Sequence, residues 1–215
     1  MIKFDHVYLK YINEFYTLYD INLELKENTL ILGDIFDGTH SLFRLISKID
    51  RNYQGEIYIE DKNLKDIKDK DLSLSYITDK PYLFENKNIY KNLYYPLKIR
   101  KINKIDAKNM INDAINLYKL NNFPQKIKDM TLWQKKIIAL VRAIIRRPKY
   151  ILLEDFFSNL DEEYYEIATN ILSSCDSTII ACEKTDTKIP YYDSFNKLNL
   201  SYGKLEDAVE KTHCS

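Results

Sequence analysis

The sequence predicts an α/β fold: a mixed sheet with buried central strands, an antiparallel β layer beside it, and a helical insertion. Three patterns predict it. The first sixty residues alternate apolar and polar with a period of two, as half-buried antiparallel strands do. Three short continuous apolar runs, Thr29–Leu32, Tyr150–Leu153 and Thr178–Cys182, read as strands covered on both faces. Between them, from about residue 89 to 145, apolar residues recur at helical spacing.

The elements follow in order. Ile2-Lys-Phe-Asp-His-Val7 and Tyr16 to Leu25 alternate as strands. Thr29–Leu32 stops at Gly33, a loop runs to Gly38, and His40-Ser-Leu-Phe-Arg-Leu-Ile-Ser47 has helical periodicity. A strand, a glycine-bounded loop and a helix make the layout of a phosphate-binding unit. Gly55 opens another strand, Glu56–Glu60. Met110, Ile111, Ala114, Ile115 and Tyr118 stripe a helix over Ala107–Leu120, and Trp133–Ile145 is a second apolar helix. Tyr150–Leu153 ends in Glu154-Asp155; a helix around Tyr164–Leu172 leads to Thr178–Cys182. Phe195–Leu200, a turn at Gly203 and a polar tail over about 206–215 close the chain. No internal repeat or low-complexity linker divides it, so residues 1–215 read as a single domain.

Composition narrows the function classes. Lys plus Arg and Asp plus Glu balance at 32 each, which supplies no field for nucleic acid. No apolar run approaches the ~20 residues that span a bilayer, and the opening residues are no signal peptide. Cys175, Cys182 and Cys214 lack metal or redox spacing and read as reduced thiols. These features predict a cytosolic chain without a metal site. Only four glycines are present, which limits the positive-φ turns and close backbone approach that phosphate loops use.

The order and spacing of several segments resemble the ATP-binding domain of ABC transporters, over roughly residues 1–205. Val7-Tyr-Leu-Lys-Tyr11 sits at the family's A-loop, with Tyr11 at the adenine-stacking position. Gln54–Asp61 is similar to the strand after the first helix, and Ala139–Pro148 to the helix that leads into the Walker B strand, here Tyr150–Asp155. Ser158-Asn-Leu-Asp161 resembles the D-loop. This form and Asn92–Arg100 are most similar to the cell-division and lipoprotein-release branch. The resemblance implies a P-loop NTPase-like core with a mixed sheet, an antiparallel β side layer and a helical subdomain. It also implies ATP with Mg²⁺ as the family's cofactors, an integral membrane permease as partner, and a second ABC ATPase subunit in a homo- or heterodimer. The chain would then sit in the cytoplasm, peripheral to the inner face of the membrane through its permease.

The departures from the family pattern fall on the chemistry. The phosphate loop Gly-x-x-Gly-x-Gly-Lys-Ser/Thr is here Gly33-Asp34-Ile-Phe36-Asp37-Gly38-Thr39-His40, followed by Ser41. Thr39 replaces the phosphate-binding lysine and His40 the Mg²⁺-binding hydroxyl, while Asp34 and Asp37 add two negative charges. A unit charge at ~4 Å is worth about 4 kcal/mol at an effective dielectric of 20, enough to oppose what amides and a helix N-terminus offer an anion. Asp79 occupies the Q-loop glutamine position and Lys184 the switch histidine. Met130-Thr131-Leu132-Trp133-Gln134 stands for the Leu-Ser-Gly-Gly-Gln signature, with only Gln134 and the serine-like Thr131 kept. Glu154-Asp155 inverts the Walker B Asp-Glu pair, and a displacement of about 1 Å in a catalytic group can cost on the order of a hundredfold.

The leading expectation is therefore a degenerate cassette subunit of an ABC transport complex, structural or regulatory, with no bound cofactor. It would meet a permease through the helical insertion and the segment from Asp79 to Asn92. Two alternatives stand beside it: a divergent ATPase that still energises transport, and a soluble binding module retaining the fold.

Overall fold

Alternation at the start of the chain produces the strands it demands, but with a break in parity. The computed structural model describes residues 1–11, 15–34, 36–158, 160–184 and 188–206. In chain order they form β1 (Ile2–Leu9), β2 (Leu18–Leu25), β3 (Thr29–Leu32), α1 (Thr39–Ile46), β4 (Gln54–Ile59), β5 (Lys62–Asn63) and β6 (Leu74–Ile77). Then follow α2 (Ile89–Ile99), α3 (Lys104–Leu117), α4 (Leu132–Ile144), β7 (Tyr150–Glu154), α5 (Glu162–Ser173), β8 (Thr178–Glu183), β9 (Asn196–Ser201) and β10 (Lys204–Glu206). These group into two compact units, Leu72–Ser177 and the remainder, Met1–Asp71 with the chain from Thr178 onward. Cys214 and most of the expected polar tail lie outside the described residues.

In the first unit β1 runs antiparallel between β2 and β4, with Ile2 opposite both Leu25 and Ile59. Ile2 and Phe4 are buried, and so are Val7 and Leu9, one position out of step. The register with β2 shifts between Phe4 and Val7, where His6 takes φ 48. A bulge of this kind carries both halves of the strand's apolar set to the same face. Gly55 faces the bulge at φ 84, and an added Cβ would stand 2.1 Å from the His6 carbonyl oxygen, so only glycine fits. A second sheet begins with β3, which pairs in parallel with β8 on one side and β9 on the other. β10 then returns antiparallel along β9, making this sheet mixed. β3 is short and buried, as its continuous apolar run requires. Leu42, Phe43, Leu45 and Ile46 bury the apolar face of α1.

In the second unit β6 and β7 pair in parallel, Leu74 opposite Tyr150 through Ile77 opposite Leu153. Four helices surround these strands in sequence, and each begins with a side-chain cap: Asn88, Asn103, Thr131 and Asp161 each accept a bond from a first-turn amide. The caps explain where the elements differ from expectation. α3 starts at Lys104, not Ala107, because Asn103 caps it, and it stops at Leu117 ahead of the left-handed Lys119 (φ 52). Ala107, Ile111 and Ala114 form its buried stripe, with Met110 and Ile115 half-buried. β6 was unforeseen, since Leu74-Ser-Tyr-Ile77 is too short and mixed a run to announce a strand. The expected α/β architecture, mixed sheet, antiparallel side layer and helical segment are all present. Trp133 stands in the first turn of α4, the last helix of that segment.

Candidate functional site

In the first unit the loop after β3 is held by its own carboxylate. Gly33 leaves the strand with its amide donating to the Glu183 carbonyl at 3.1 Å. A Cβ at Gly33 would stand 2.6 Å from the Leu200 carbonyl oxygen, so this exit needs glycine. The Asp37 amide donates to the Asp34 carbonyl at 2.9 Å and closes a turn. The Asp37 carboxylate accepts the Asp34 amide at 2.7 Å and the Tyr202 amide at 2.9 Å. The Asp37 carbonyl takes the Gly203 amide at 3.1 Å. Gly38 follows at φ 94, where a Cβ would meet the Thr17 carbonyl oxygen at 2.6 Å, and α1 begins without a side-chain cap. Thr39 and Ser41 are buried in the first turn; Asp34 and His40 are exposed, and Phe36 is 92% exposed. Ile35 lies outside the described residues. Asp37 was expected only as an unfavourable charge, and it is instead the ligand around which the loop is built.

Tyr11 is engaged through its hydroxyl, which donates to the Asp50 carboxylate. Arg44 on α1 grips that carboxylate from Nε at 2.8 Å and from an amino nitrogen at 2.7 Å. The Arg44 bonds hold Asp50 below the usual carboxylate range and raise Arg44 in return. The tyrosine at the A-loop position thus belongs to an ion-pair cluster. Lys184 is exposed just past β8. Its neighbour Glu183 is buried and receives the Tyr192 hydroxyl at 3.3 Å; burial pushes that phenol well above its ordinary pKa.

In the second unit Glu154, the first of the two carboxylates expected at the Walker B position, ends β7, and Asp155 follows it. Glu154 is half-buried and accepts the hydroxyl of Tyr76 from β6. Asp155 takes φ 45, and its carbonyl accepts the Ser158 amide at 3.2 Å. Asp79 pairs with Lys136 at 3.0 Å. Lys136 lies on α4 with its side chain 1% exposed, and its ammonium also donates to the carbonyls of Phe156 at 2.9 Å and Ser158 at 3.2 Å. One buried cation therefore joins the Q-loop position to the segment that follows the Walker B strand. Asp161, expected at the D-loop position, caps α5 by accepting the Tyr164 amide at 3.0 Å; Asn159 lies outside the described residues.

The signature position is a helix start. Thr131 accepts the Gln134 amide at 3.3 Å, and the Gln134 side chain accepts the Thr131 amide at 3.1 Å, a complete capping box. Thr131 and Gln134, the two residues expected as kept from the family signature, thus both take part in starting α4. Met130 is buried, Leu132 exposed, and Trp133 half-buried with the Lys136 ammonium 5.7 Å from its ring centre. Asn92, wholly buried, accepts the Phe84 amide at 2.9 Å and donates to the carbonyls of Phe84 and Asn88, which fixes the segment before α2.

Lys136, Tyr76 and the bonding role of Asp37 were not foreseen. The signal for Lys136 was present: with Trp133 three residues before and Leu140 four after, it lies on the buried stripe of its helix, where a cation needs partners.

A glycine-bounded loop between a buried parallel strand and a helix, followed by a strand ending in paired carboxylates, defines a cassette of the P-loop type. The family model described as ABC transporter matches residues 18–158, and the chain belongs to that family. The oligosaccharides import ATP-binding protein MsmX of Bacillus subtilis is 28% identical over 163 residues, 74% of this chain and 45% of that protein. The sulfate/thiosulfate import ATP-binding protein CysA of Mesostigma viride is 31% identical over 163 residues, 74% of this chain and 47% of that protein. The chain spans a little under half the length of these relatives. Both are import proteins, so the narrower resemblance to the cell-division and lipoprotein-release branch widens to the family as a whole. Among solved structures, the dimeric post-hydrolysis state of the ATP-binding cassette MJ0796 bound to ADP and Pi shares the fold. Its TM-score is 0.78 at 20% identity, covering 96% of this chain and 98% of that one. A bacterial Atm1-family ABC exporter with ATP bound matches at 0.79 and 16% identity, covering 96% of this chain and 38% of that one.

Proposed function

We propose that this chain is a cassette subunit of an ABC transport complex that has given up ATP turnover and serves a structural or regulatory role. The observation that carries this reading is the Asp37 carboxylate, which already takes the Asp34 and Tyr202 amides. A phosphate loop works by turning free amides toward an anion; here two amides at the loop face an internal one. Thr39 brings no cation and Phe36 no glycine freedom, so the residues present do not fit Mg-ATP. Asp79 and Glu154 point the same way, because Lys136 and Tyr76 occupy them.

The two compact units read together as one cassette domain, since the family match runs through both. The partner it fits is an integral membrane permease. Tyr82, Phe84 and Tyr95 are exposed on the segment from Asp79 into α2, Phe84 and Tyr95 pack edge to face at 4.9 Å, and Asn92 holds the backbone beneath them. Exposed aromatics on a fixed backbone suit a protein contact. Among the described residues no helix is long and apolar enough to cross a membrane; attachment at the inner membrane face would run through the permease. A second cassette, identical or not, completes the assembly, and the permease selects the cargo.

The second reading, a divergent but active ATPase, is favoured by the relatives, whose names describe ATP-binding proteins. Calorimetric titration with Mg-ATP separates the two. We expect no saturable binding at millimolar nucleotide. A dissociation constant below about 0.1 mM, about 5.5 kcal/mol, overturns the non-hydrolytic reading.

A further inference from the structure

Three arginines in the second unit converge on a cavity of about 390 Å³: Arg100 at the end of α2, and Arg146 and Arg147 just after α4. Among the described residues none of the three takes part in an ion pair. Arg146 spends one amino group on the carbonyls of Leu72 and Leu74, at 2.8 and 2.7 Å, while its Nε is buried without a partner. Burial and the facing Arg100 guanidinium push Arg146 down to about 10. The one carboxylate lining the cavity, Asp106, accepts the side-chain amide of Asn103 in the cap of α3. Basic residues after a helix also complement its dipole. That accounts for their place in sequence, not for like charges facing one another over a cavity with a buried donor unused.

We propose that this cavity binds a phosphate group. Guanidinium forks match phosphate oxygens in pairs, and one dianion would relieve the Arg100–Arg146 repulsion. Leu97 and Met110 give the cavity an apolar wall. The adjoining stretch carries Lys98, Lys101 and Lys104 beside the exposed Ile99 and Ile105, so the phosphate can be free or can belong to an anionic lipid headgroup. The site lies outside every motif discussed above and stands whether or not ATP binds.

Met110 provides the probe, because the chain has three methionines and Met1 and Met130 line neither this cavity nor its neighbour. The protein is labelled at methionine methyl groups and titrated with inorganic phosphate to about 20 mM, a range that covers millimolar affinity. The expected result is a saturable shift of the Met110 resonance, with Met1 and Met130 still. Arg147→Gly is the matching variant. Arg147 sits at φ 50, where glycine is at ease, so this variant folds while losing one guanidinium. Its apparent affinity falls about fivefold to tenfold, and Arg100→Gln with Arg147→Gly abolishes the shift. Sedimentation with phosphatidylglycerol or phosphatidylcholine vesicles identifies the source. Retention on the anionic vesicles alone, lost in the double variant, assigns a lipid headgroup; a Met110 shift without retention assigns free phosphate. No Met110 shift together with no selective retention overturns the proposal, as does a shift that Arg147→Gly leaves unchanged.

Discussion

Replacing Lys136 by methionine removes the ammonium and keeps most of the stem, which isolates the three bonds it donates. Bonds to a charged group contribute about 1.5–3 kcal/mol each, but tripling that figure overcounts. The Asp79 side chain is 52% exposed, so its share is screened to under about 1 kcal/mol. The carbonyls of Phe156 and Ser158 matter more. Phe156 is buried and Ser158 half-buried, and a carbonyl stripped of its donor costs about 1–3 kcal/mol, less where water enters. Methionine returns about 1 kcal/mol through apolar burial. The net loss is about 2–4 kcal/mol, which for a chain of this size lowers the melting midpoint by roughly 5–12 °C. Asp79→Asn, touching only the screened bond, lowers it by no more than about 3 °C. Circular-dichroism melts of wild type, both single variants and the double variant measure all terms. If Asp79→Asn costs as much as Lys136→Met, the ion pair and not the carbonyls anchors this lysine, and the reasoning fails.

Three further outcomes are expected. Thr39→Lys with His40→Ser restores no nucleotide binding while Asp37 remains, whereas adding Asp37→Ser recovers some binding and costs about 1–2 kcal/mol for the two released amides; calorimetry and a melt read both. Thr131→Ala destabilises by about 1 kcal/mol through loss of the α4 cap, measured by urea unfolding, and Thr131→Ser restores it. Asp50 has a folded pKa lowered chiefly by Arg44, so its contribution is present above the unfolded carboxylate value and is lost as pH falls through the folded one. Asp50→Asn should therefore flatten the acid limb of stability below about pH 4, and an unchanged limb would refute the assignment.

β3, β7 and β8 were legible as buried strands because they are continuous apolar runs. The helix ends were less so, because a cap is set by one residue: Asn103 moves the start of α3 three residues ahead of its apolar stripe. At the candidate site, residue identity gave the departures from the family pattern but not their use. Asp37 carries a charge in either account; only geometry shows that its oxygens take two amides. Gln134 and Thr131 read as remnants of a signature, although a capping box needs the same two residue types at the same spacing. The place of Lys136 on the buried stripe of α4 was legible, but not which carbonyls its ammonium would reach.

A loop that supplies its own anion also has a fixed occupancy. An ordinary phosphate loop binds its anion reversibly, so its occupancy depends on the free ligand. The turn from Asp34 to Gly38 is closed by covalently attached carboxylate oxygens, whose local concentration does not vary with metabolism. If the non-hydrolytic function proposed above holds, the subunit would present one constant face to its partner, and timing in the assembly would come from the other cassette.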